Sequence, residues 1–521
     1  MTGDTLAARA GVDAAAASWR IRLSGHRPRV GAIALLAAVA YAVLGLVKLA
    51  SFRASTFDLV IIDQTVRNYA AFRPPYAPVL GMFHGRGMDY LQLADHFSPA
   101  YALLAPFYWI HDGPETLIVV QAVLFAAAIP FLWRFTRRVL GVAPAYLVSV
   151  AYALSWPVSQ AVVFDAHEVM FVPLLTAIVI ERYHAGRMAP ALLAMIGLLL
   201  VKEDMGLMVA GFGLCLFVMG ERWRGAMCAV LGIGAVLLTR GLVTAVFGGD
   251  AKDFWAYGHL GSDIPGAALG IMRDPLAALL LPFSEEAKVD TLFLLAWPTL
   301  MLCLLSPLSL AALPHVLERM LSDRVQWWQA DFQYNAFTVV ILFCAGVDGL
   351  ARLLRWYSED DGKSPAGESE ADGGKSSAGE SQADEGRSGP DPRHAQIKLA
   401  WSVAVCAVAL TLVPKFALDQ LYHPAFYKGD PKAAAAAEAV SKVPSGVTVE
   451  AVNSVGPALT SRATVLLWSP TPRGAPWVVA DTFRWEYPFG SLGDQLAKVN
   501  ELQGQGYVKV FERDGYVVLR R

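Results

Sequence analysis

The chain has 521 residues, of which 55% are hydrophobic and only 17% are charged. Soluble globular proteins carry about 25% charged residues, so this composition and the mean hydropathy of +0.42 indicate a membrane protein. The net charge of −2 argues against nucleic acid as a partner, because proteins that bind it present a strongly basic surface. The 5 cysteines show neither a disulfide framework nor a zinc-binding spacing.

The first apolar run covers residues 30–49 and follows a short basic stretch that begins at Arg20. About 20 apolar residues are needed to cross a bilayer, and the apolar core of a cleavable signal is shorter. We therefore interpret the run as a retained signal-anchor helix, preceded by a cytoplasmic tail at residues 1–29.

Further apolar runs predict a bundle of about eleven membrane spans in total. They cover residues 116–135, 143–161, 169–180, 189–201, 205–219, 226–247, 289–304, 308–321, 337–354 and 399–412. The arginine clusters between them all fall on the cytoplasmic side if the N-terminus is cytoplasmic and each run crosses once, as positive-inside bias requires. This pattern predicts a multi-pass protein of the plasma membrane.

Composition divides the rest of the chain. Residues 30–357 are predicted to form the transmembrane core, and residues 358–396, rich in Gly, Ser, Glu and Asp, a disordered cytoplasmic linker. After a last span at 397–418, short β-rich runs alternate with helical patterns over residues 419–521. The predicted fold class is an all-α polytopic transmembrane bundle with a small extracytoplasmic α/β domain at the C-terminus.

Under this topology, two acids lie at the outer end of the first span, in the stretch FDLVIIDQ. Asp58 and Asp63 are five residues apart, or about 140° around a helix, so they would not share one face. The two acids are either ordinary polar residues of the membrane interface or functional carboxylates. Acids packed against apolar surface often belong to functional sites. Joint action would need a bend or a partner from another segment.

Three further stretches place ionisable residues on the same side of the membrane. They are LADHFSPAY with Asp95 and His96, VVFDAHEVMF with Asp165, His167 and Glu168, and LLLVKEDMGLM with Lys202, Glu203 and Asp204. The lysine, the histidines and the neighbouring acids are candidate ligands of a substrate phosphate. Because Asp165 and Glu168 are three apart, they would share a helix face and are candidate ligands of a divalent cation, Mg or Mn.

Structural alternatives exist for each stretch. Ser98 would serve as the cap of a surface helix at residues 98–110, and Lys202, Glu203 and Asp204 would form salt bridges with one another. The aromatic stretches DFWAYGHLG and QWWQADFQY are typical of a membrane interface, although such side chains also stack on sugars.

The order FDLVIIDQ, DHFSPAYALLAPFYW, FDAHEVMFVPLL, LLLVKEDMGL resembles a family of bacterial polytopic membrane proteins of unknown function, and that family resembles the GT-C glycosyltransferases. The resemblance covers residues 41–334 and, more faintly, the stretch PSGVTVEAVNSVGPALTSR. GT-C enzymes use polyprenyl-phosphate sugars at the outer membrane face. The resemblance implies that Asp58 is the catalytic base and Lys202 faces the phosphate, with DHFSP opening a juxtamembrane helix and Asp165 matching an acid after the third span. Asp63 aligns equally well with an acid of the family, so the base stays open between Asp58 and Asp63.

These expectations together predict an integral membrane glycosyltransferase. It would move a sugar from a polyprenyl-phosphate donor to an extracytoplasmic acceptor, either a cell-envelope glycan, a lipid or a protein, in contact with membrane lipids. The alternative is a transporter or flippase in which the buried acids and Lys202 couple ions or protons. The inverted repeats of many transporters are not evident in the sequence. A third interpretation, a membrane anchor for the C-terminal domain, leaves the ionisable residues without a purpose.

Overall fold

A computed structural model describes residues 25–250, 255–361, 392–428 and 431–521. Most of the predicted tail and linker, together with residues 251–254 of the DFWAYGHLG stretch, lies outside the described residues. The described part consists of a large helical bundle followed by a small mixed α/β domain.

α-Helices make up more than half of the described residues. They are α1 Arg27–Ala50, α2 Ile61–Ala70, α3 Pro78–Phe83, α4 Ala105–Tyr108, α5 Pro114–Ala127, α6 Ile129–Val139, α7 Val142–Ala153, α8 Trp156–Val163, α9 Val172–His184, α10 Met188–Leu199, α11 Met205–Val218, α12 Arg222–Ala245, α13 Ile264–Arg273, α14 Pro275–Leu280, α15 Glu286–Ala296, α16 Ser309–Met320, α17 Val325–Trp328, α18 Val339–Asp361, α19 Pro392–Leu412, α20 Pro424–Tyr427, α21 Pro431–Lys442 and α22 Leu492–Gly504.

Within the described residues, 5 helices are long and apolar enough to cross a membrane. They are Arg27–Ala50, Pro114–Val139, Val142–Val163, Arg222–Val243 and Pro392–Lys415. A helix lies at every predicted apolar run, but several, such as α10 and α11, are shorter than a bilayer requires. The multi-pass architecture is therefore confirmed, whereas the number of eleven crossings stays a prediction.

One broken helix pair was missed by the sequence analysis. Helices α13 and α14 form an apolar pair bent by 102°. The bend has a local cause, because Asp274 accepts a hydrogen bond from the Ala277 amide and so begins a new helix. Pro275 follows, and a proline lacks the amide hydrogen that a continuous helix would need.

Small residues allow the central helices to approach closely. On α11, a side chain at Gly213 would lie 2.5 Å from the Ala229 amide of α12, and one at Gly211 would lie 2.5 Å from the Ala311 carbonyl oxygen of α16. Glycine at such positions lets backbones touch, which is how helices associate in membranes. Helix α11 is thereby held against both α12 and α16.

The C-terminal domain is a five-stranded sheet of order β2-β1-β3-β5-β4. Its strands, which all lie within the β-rich residues 419–521, are β1 Thr448–Ala451, β2 Thr464–Leu467, β3 Trp477–Asp481, β4 Val508–Arg513 and β5 Tyr516–Arg520. The first three are parallel, and β5 pairs antiparallel with both β3 and β4. Two fully buried side chains from the segment between α1 and α4, Val60 and Val79, join the core of this domain. The domain is thus packed onto the segment that carries Asp58 and Asp63.

Candidate functional site

The segment that follows α1 changes helix type between Asp58 and Asp63. Residues Thr56–Val60 form a π-helical turn, and Ile61 begins the regular helix α2. The Asp58 carboxylate is 29% exposed and lies 3.4 Å from His167 Nε2. The Asp63 side chain is completely buried. The two acids therefore occupy different environments, and they do not act as a pair.

Asp63 is saturated with partners. Arg67 donates to its carboxylate at 2.6 Å, Thr460 donates at 2.6 Å, and the Tyr108 hydroxyl donates at 2.8 Å. Arg67 also binds Asp112 at 2.7 Å. Through these bonds, Asp63 joins helix α2 to the C-terminal domain. Its carboxylate has no exposed surface that a substrate could contact.

Asp165 connects the end of α1 to the Asp58 segment. Its carboxylate accepts a bond from Lys48 Nζ at 2.8 Å and another from the Ser55 amide at 2.8 Å. The residue has a φ of 99°, a left-handed conformation that side chains other than glycine rarely adopt. Lys48 is the one basic residue within the first apolar run, and this buried pair explains why it is there.

His167 faces Asp58 with one ring nitrogen, while its Nδ1 is buried and has no hydrogen-bond partner among the described residues. Burial disfavours the charged imidazole, but the hydrogen bond and charge of Asp58, with those of Glu168 and Asp165, raise the pKa of His167 above its ordinary value.

Lys202 is buried in an ion pair with Glu168. Its Nζ lies 3.1 Å from the Glu168 carboxylate, which also accepts a bond from the Tyr101 hydroxyl at 3.1 Å. The rings of Tyr334 and Phe337 cover the ammonium group at 5.7 and 5.9 Å. Burial opposes the charge on Glu168, but Lys202 and the nearby histidines hold its pKa below the usual range.

His96 forms the neighbouring ion pair. Its Nδ1 lies 2.9 Å from Glu203, whose other oxygen accepts the Phe97 amide at 3.0 Å, and Asp95 lies 3.8 Å from the other ring nitrogen. Although burial lowers it, the charges of Glu203 and Asp95 raise the pKa of His96 to about 9. Ser98, by contrast, does not cap the helix that follows it.

The three consecutive charged residues of LLLVKEDMGLM do not pair with one another. Lys202 binds Glu168 and Glu203 binds His96, whereas Asp204 lies in a third cluster with His315 and Glu318. In that cluster one ligand-type atom of each residue lies within 4.8 Å of the others. Each of the three charged residues thus contacts a different part of the chain. The alternative, in which the three form salt bridges with one another, is not what the structure has.

The two acids that the sequence suggested as metal ligands are both engaged by lysines. Asp165 binds Lys48 and Glu168 binds Lys202. Among the described residues, only the cluster of Asp204, His315 and Glu318 brings three metal-ligating side chains together. A cation at Asp165 and Glu168 stays a prediction.

The loop after β1 clamps the Asp58 segment. The carbonyl of Asn453 accepts the Thr56 amide at 2.7 Å, and its side-chain oxygen accepts the Phe57 amide at 3.1 Å. Gly456 approaches so closely that a Cβ there would overlap the Thr56 hydroxyl. This loop is the NSVGPALT part of the stretch noted above, so that stretch belongs to the site.

Most of the candidate residues therefore meet on one patch. The charges of Asp58 and Glu168 act on His167, and those of Lys202 and His96 act on Glu168. The sequence analysis missed Lys48, Arg67, Tyr108, Asn453, Thr460, His315 and Glu318 as partners. A lysine at the end of an apolar helix was a detectable signal; the other partners are set by tertiary packing.

The bundle and its C-terminal domain share a fold with two solved structures of ArnT. ArnT from Cupriavidus metallidurans in the apo state gives a TM-score of 0.53 at 13% identity, covering 95% of this chain and 98% of ArnT. ArnT bound to undecaprenyl phosphate gives 0.50 at 13% identity, covering 94% and 98%. The Archaeoglobus fulgidus oligosaccharyltransferase tethered with an acceptor peptide gives 0.46 at 11% identity, covering 87% and 69%.

Residues 48–518 match the family described as predicted membrane protein (DUF2079). The chain belongs to this family, as the order of its motifs led us to expect. No curated protein matches the sequence.

Proposed function

We propose that the protein is an integral membrane glycosyltransferase that moves a sugar from a polyprenyl-phosphate donor to an extracytoplasmic acceptor. The observation that carries the proposal is the part-exposed Asp58 beside His167, next to the buried Lys202–Glu168 pair. The fold shared with ArnT, which was crystallised with undecaprenyl phosphate, supports a donor of that chemical class.

Asp58 is the catalytic base of this proposal. It takes the proton from the acceptor hydroxyl as that oxygen bonds to the anomeric carbon of the sugar. The bond between that carbon and the phosphate oxygen breaks, and its electron pair leaves with the polyprenyl phosphate. Asp63 is not suited to this step, because a base needs contact with the acceptor and Asp63 has no exposed surface.

Positive charge for the departing phosphate comes from His167, Lys202 and His96 in this proposal. Fixed cations in a site with little water stabilise charge that develops in a transition state. Lys202 and His96 are held by Glu168 and Glu203, so their side chains are oriented before a substrate arrives. A metal cation on Asp165 and Glu168 would have to displace Lys48 and Lys202. In this proposal the two lysines therefore balance the negative charge of these carboxylates.

The C-terminal domain has a positioning role. Asn453 holds the backbone immediately before Asp58 by accepting the amides of Thr56 and Phe57. The Tyr487 ring packs 5.6 Å from that of Phe57. The domain and the outer segments would then lie on the extracytoplasmic side together, where the lipid-linked donor presents its head group.

The test is a transfer assay in liposomes with radiolabelled polyprenyl-phosphate hexoses and pentoses and a cell-envelope extract as acceptor. We expect Asp58→Asn to lower transfer by about 100-fold or more. Asp89→Asn is the matched control, because Asp89 is an exposed acid of the same outer segment, and it should transfer normally.

Two outcomes would contradict the proposal. Wild-type transfer by a folded Asp58→Asn protein would exclude Asp58 as the base. Absence of transfer from every donor, together with ion-coupled uptake of a solute, would instead support the transporter interpretation.

A further inference from the structure

Three metal-ligating side chains, those of Asp204, His315 and Glu318, meet near Lys202. Asp204 precedes α11, and His315 and Glu318 are three residues apart on α16, so they share a helix face. Their ligand atoms lie within 4.8 Å of one another. Neither His315 nor Glu318 belongs to any motif that the sequence analysis identified.

The position of these ligands is fixed by helix packing. Gly211 brings the backbone of α11 against the Ala311 carbonyl of α16, one turn from His315. The His315 ring packs 4.9 Å from that of Phe337, and the Tyr257 hydroxyl donates to Glu318 at 3.2 Å. Side chains held in this way are oriented in advance, as ligands of bound metals are.

The cluster contains buried polar atoms that no neighbour satisfies. His315 is 1% exposed, and neither of its ring nitrogens has a hydrogen-bond partner among the described residues. The Asp204 Oδ1 atom is likewise unpartnered within that part of the chain. The closest His315–Glu318 approach is 3.5 Å, too long for a good hydrogen bond. Buried polar groups are nearly always satisfied, so a ligand is expected here.

We propose that Asp204, His315 and Glu318 bind one divalent transition-metal ion of the zinc or manganese class. One imidazole and two carboxylates suit these ions, and three protein ligands leave a position for water. Lys202 and Arg240 are near enough to act on Glu318, which weakens the site relative to the same ligands alone.

This site is independent of the proposed glycosyl transfer, since none of its three ligands takes part in that reaction. A bound ion would join the turn after Lys202 to α16 and so stabilise the backbone next to Lys202. Failure of the metal test would leave the proposed function untouched, and the reverse also holds.

The experiment uses the full chain in detergent, without a polyhistidine tag and stripped with a chelator. Zn²⁺ alone or Co²⁺ alone is added, and the retained metal is measured after desalting together with the thermal unfolding midpoint. We expect about one equivalent of metal per chain, a raised midpoint, and a visible absorption band with Co²⁺.

His315→Gln and Glu318→Gln should both lose the retained metal and the metal-induced rise in midpoint. His111→Gln is the matched control, because His111 lies in an exposed pair with Glu115 at 3.3 Å, and it should behave as wild type. Glu318 is 15% exposed, so Glu318→Gln keeps the test valid if His315→Gln does not fold. Failure of the wild type to retain metal, or full retention by a folded variant, overturns the proposal.

Discussion

The Thr460 hydroxyl donates a 2.6 Å hydrogen bond to Asp63, a residue 397 positions earlier in the chain. The same helix is tied to the domain again by Gln64, whose side-chain amide donates to the Val465 carbonyl at 2.8 Å. Because Val60 also enters the core of the domain, the C-terminal domain and the segment that carries Asp58 and Asp63 form one packed unit. A substitution in the domain should therefore reach the Asp58 site.

Substitutions of the two acids of FDLVIIDQ should lower the free energy of unfolding by different amounts. Asp63→Asn leaves Arg67 without its buried partner, and breaking a buried ion pair costs about 3–5 kcal/mol. Arg67 is 22% exposed and retains Asp112, so the lower end of that range is expected. Asp58→Asn should cost less than about 1 kcal/mol, as is usual for a part-exposed residue. Chemical unfolding in detergent measures both values, and equal costs would contradict the distinction drawn between the two acids.

Thr460→Val tests the hydrogen bond between the domain and Asp63. The change keeps the shape of the side chain but removes a donor to a charged group, which costs about 1.5–3 kcal/mol. Thr464→Val is the matched control, because Thr464 is part-exposed on β2. Limited proteolysis should release the C-terminal domain faster from Thr460→Val than from the control. Equal release rates would show that the bond does not hold the domain.

Gly456→Ala should displace the loop that clamps Thr56. A Cβ at this position would overlap the Thr56 hydroxyl, and forcing extra atoms into a packed contact costs about 1–3 kcal/mol. Gly504→Ala is the control, because a Cβ at Gly504 meets nothing within 4 Å. We expect the unfolding midpoint to fall for Gly456→Ala and to be unchanged or slightly raised for Gly504→Ala. Equal midpoints would mean that the loop moves freely away from Thr56.

The helices and strands were predictable because they depend on local pattern. The apolar runs and the alternation after residue 419 lie in elements that the structure contains. The helix pair that meets at Asp274 was missed because no apolar run was identified between residues 247 and 289, although the structure has an apolar pair bent by 102° there.

The candidate site was predictable as a list of residues but not as a set of contacts. Lys202, Glu203 and Asp204 are adjacent in sequence, and their partners are Glu168, His96 and His315 with Glu318. Those partners come from three different elements, so no spacing along the chain encodes them. Asp63 likewise differs from Asp58 partly through Tyr108 and Thr460, which bond to it from distant positions in the chain.

Lys48→Met should destabilise the junction between α1 and the Asp58 segment. It removes the cation from Asp165, whose carboxylate is 3% exposed and would keep only the Ser55 amide. An unpaired buried carboxylate costs about 3–5 kcal/mol. The double variant Lys48→Met with Asp165→Asn should recover part of this loss, because the uncompensated charge is gone. Unfolding in detergent measures both proteins, and a single variant as stable as wild type would show that the pair is dispensable.

The His96–Glu203 pair should give stability a specific pH dependence. The largest effects on the pKa of His96 are burial and Lys202, which lower it, and Glu203 and Asp95, which raise it by more, to about 9 against an ordinary 6.5. The nearby acids Glu168 and Asp204 also interact with the charge of His96. A histidine whose pKa is raised on folding stabilises the protein fully below about pH 6.5, and this contribution is lost as the pH rises through about 9. The contribution is on the order of 1–3 kcal/mol.

His96→Gln should therefore be less stable than wild type at pH 6, and the difference should shrink to near zero by pH 10. Thermal unfolding in detergent at intervals across this range measures the difference directly. His111→Gln is the control, because the exposed His111–Glu115 pair contributes little at any pH. A difference between His96→Gln and wild type that stays constant from pH 6 to 10 would mean that His96 stabilises the site through its shape, and not through its charge.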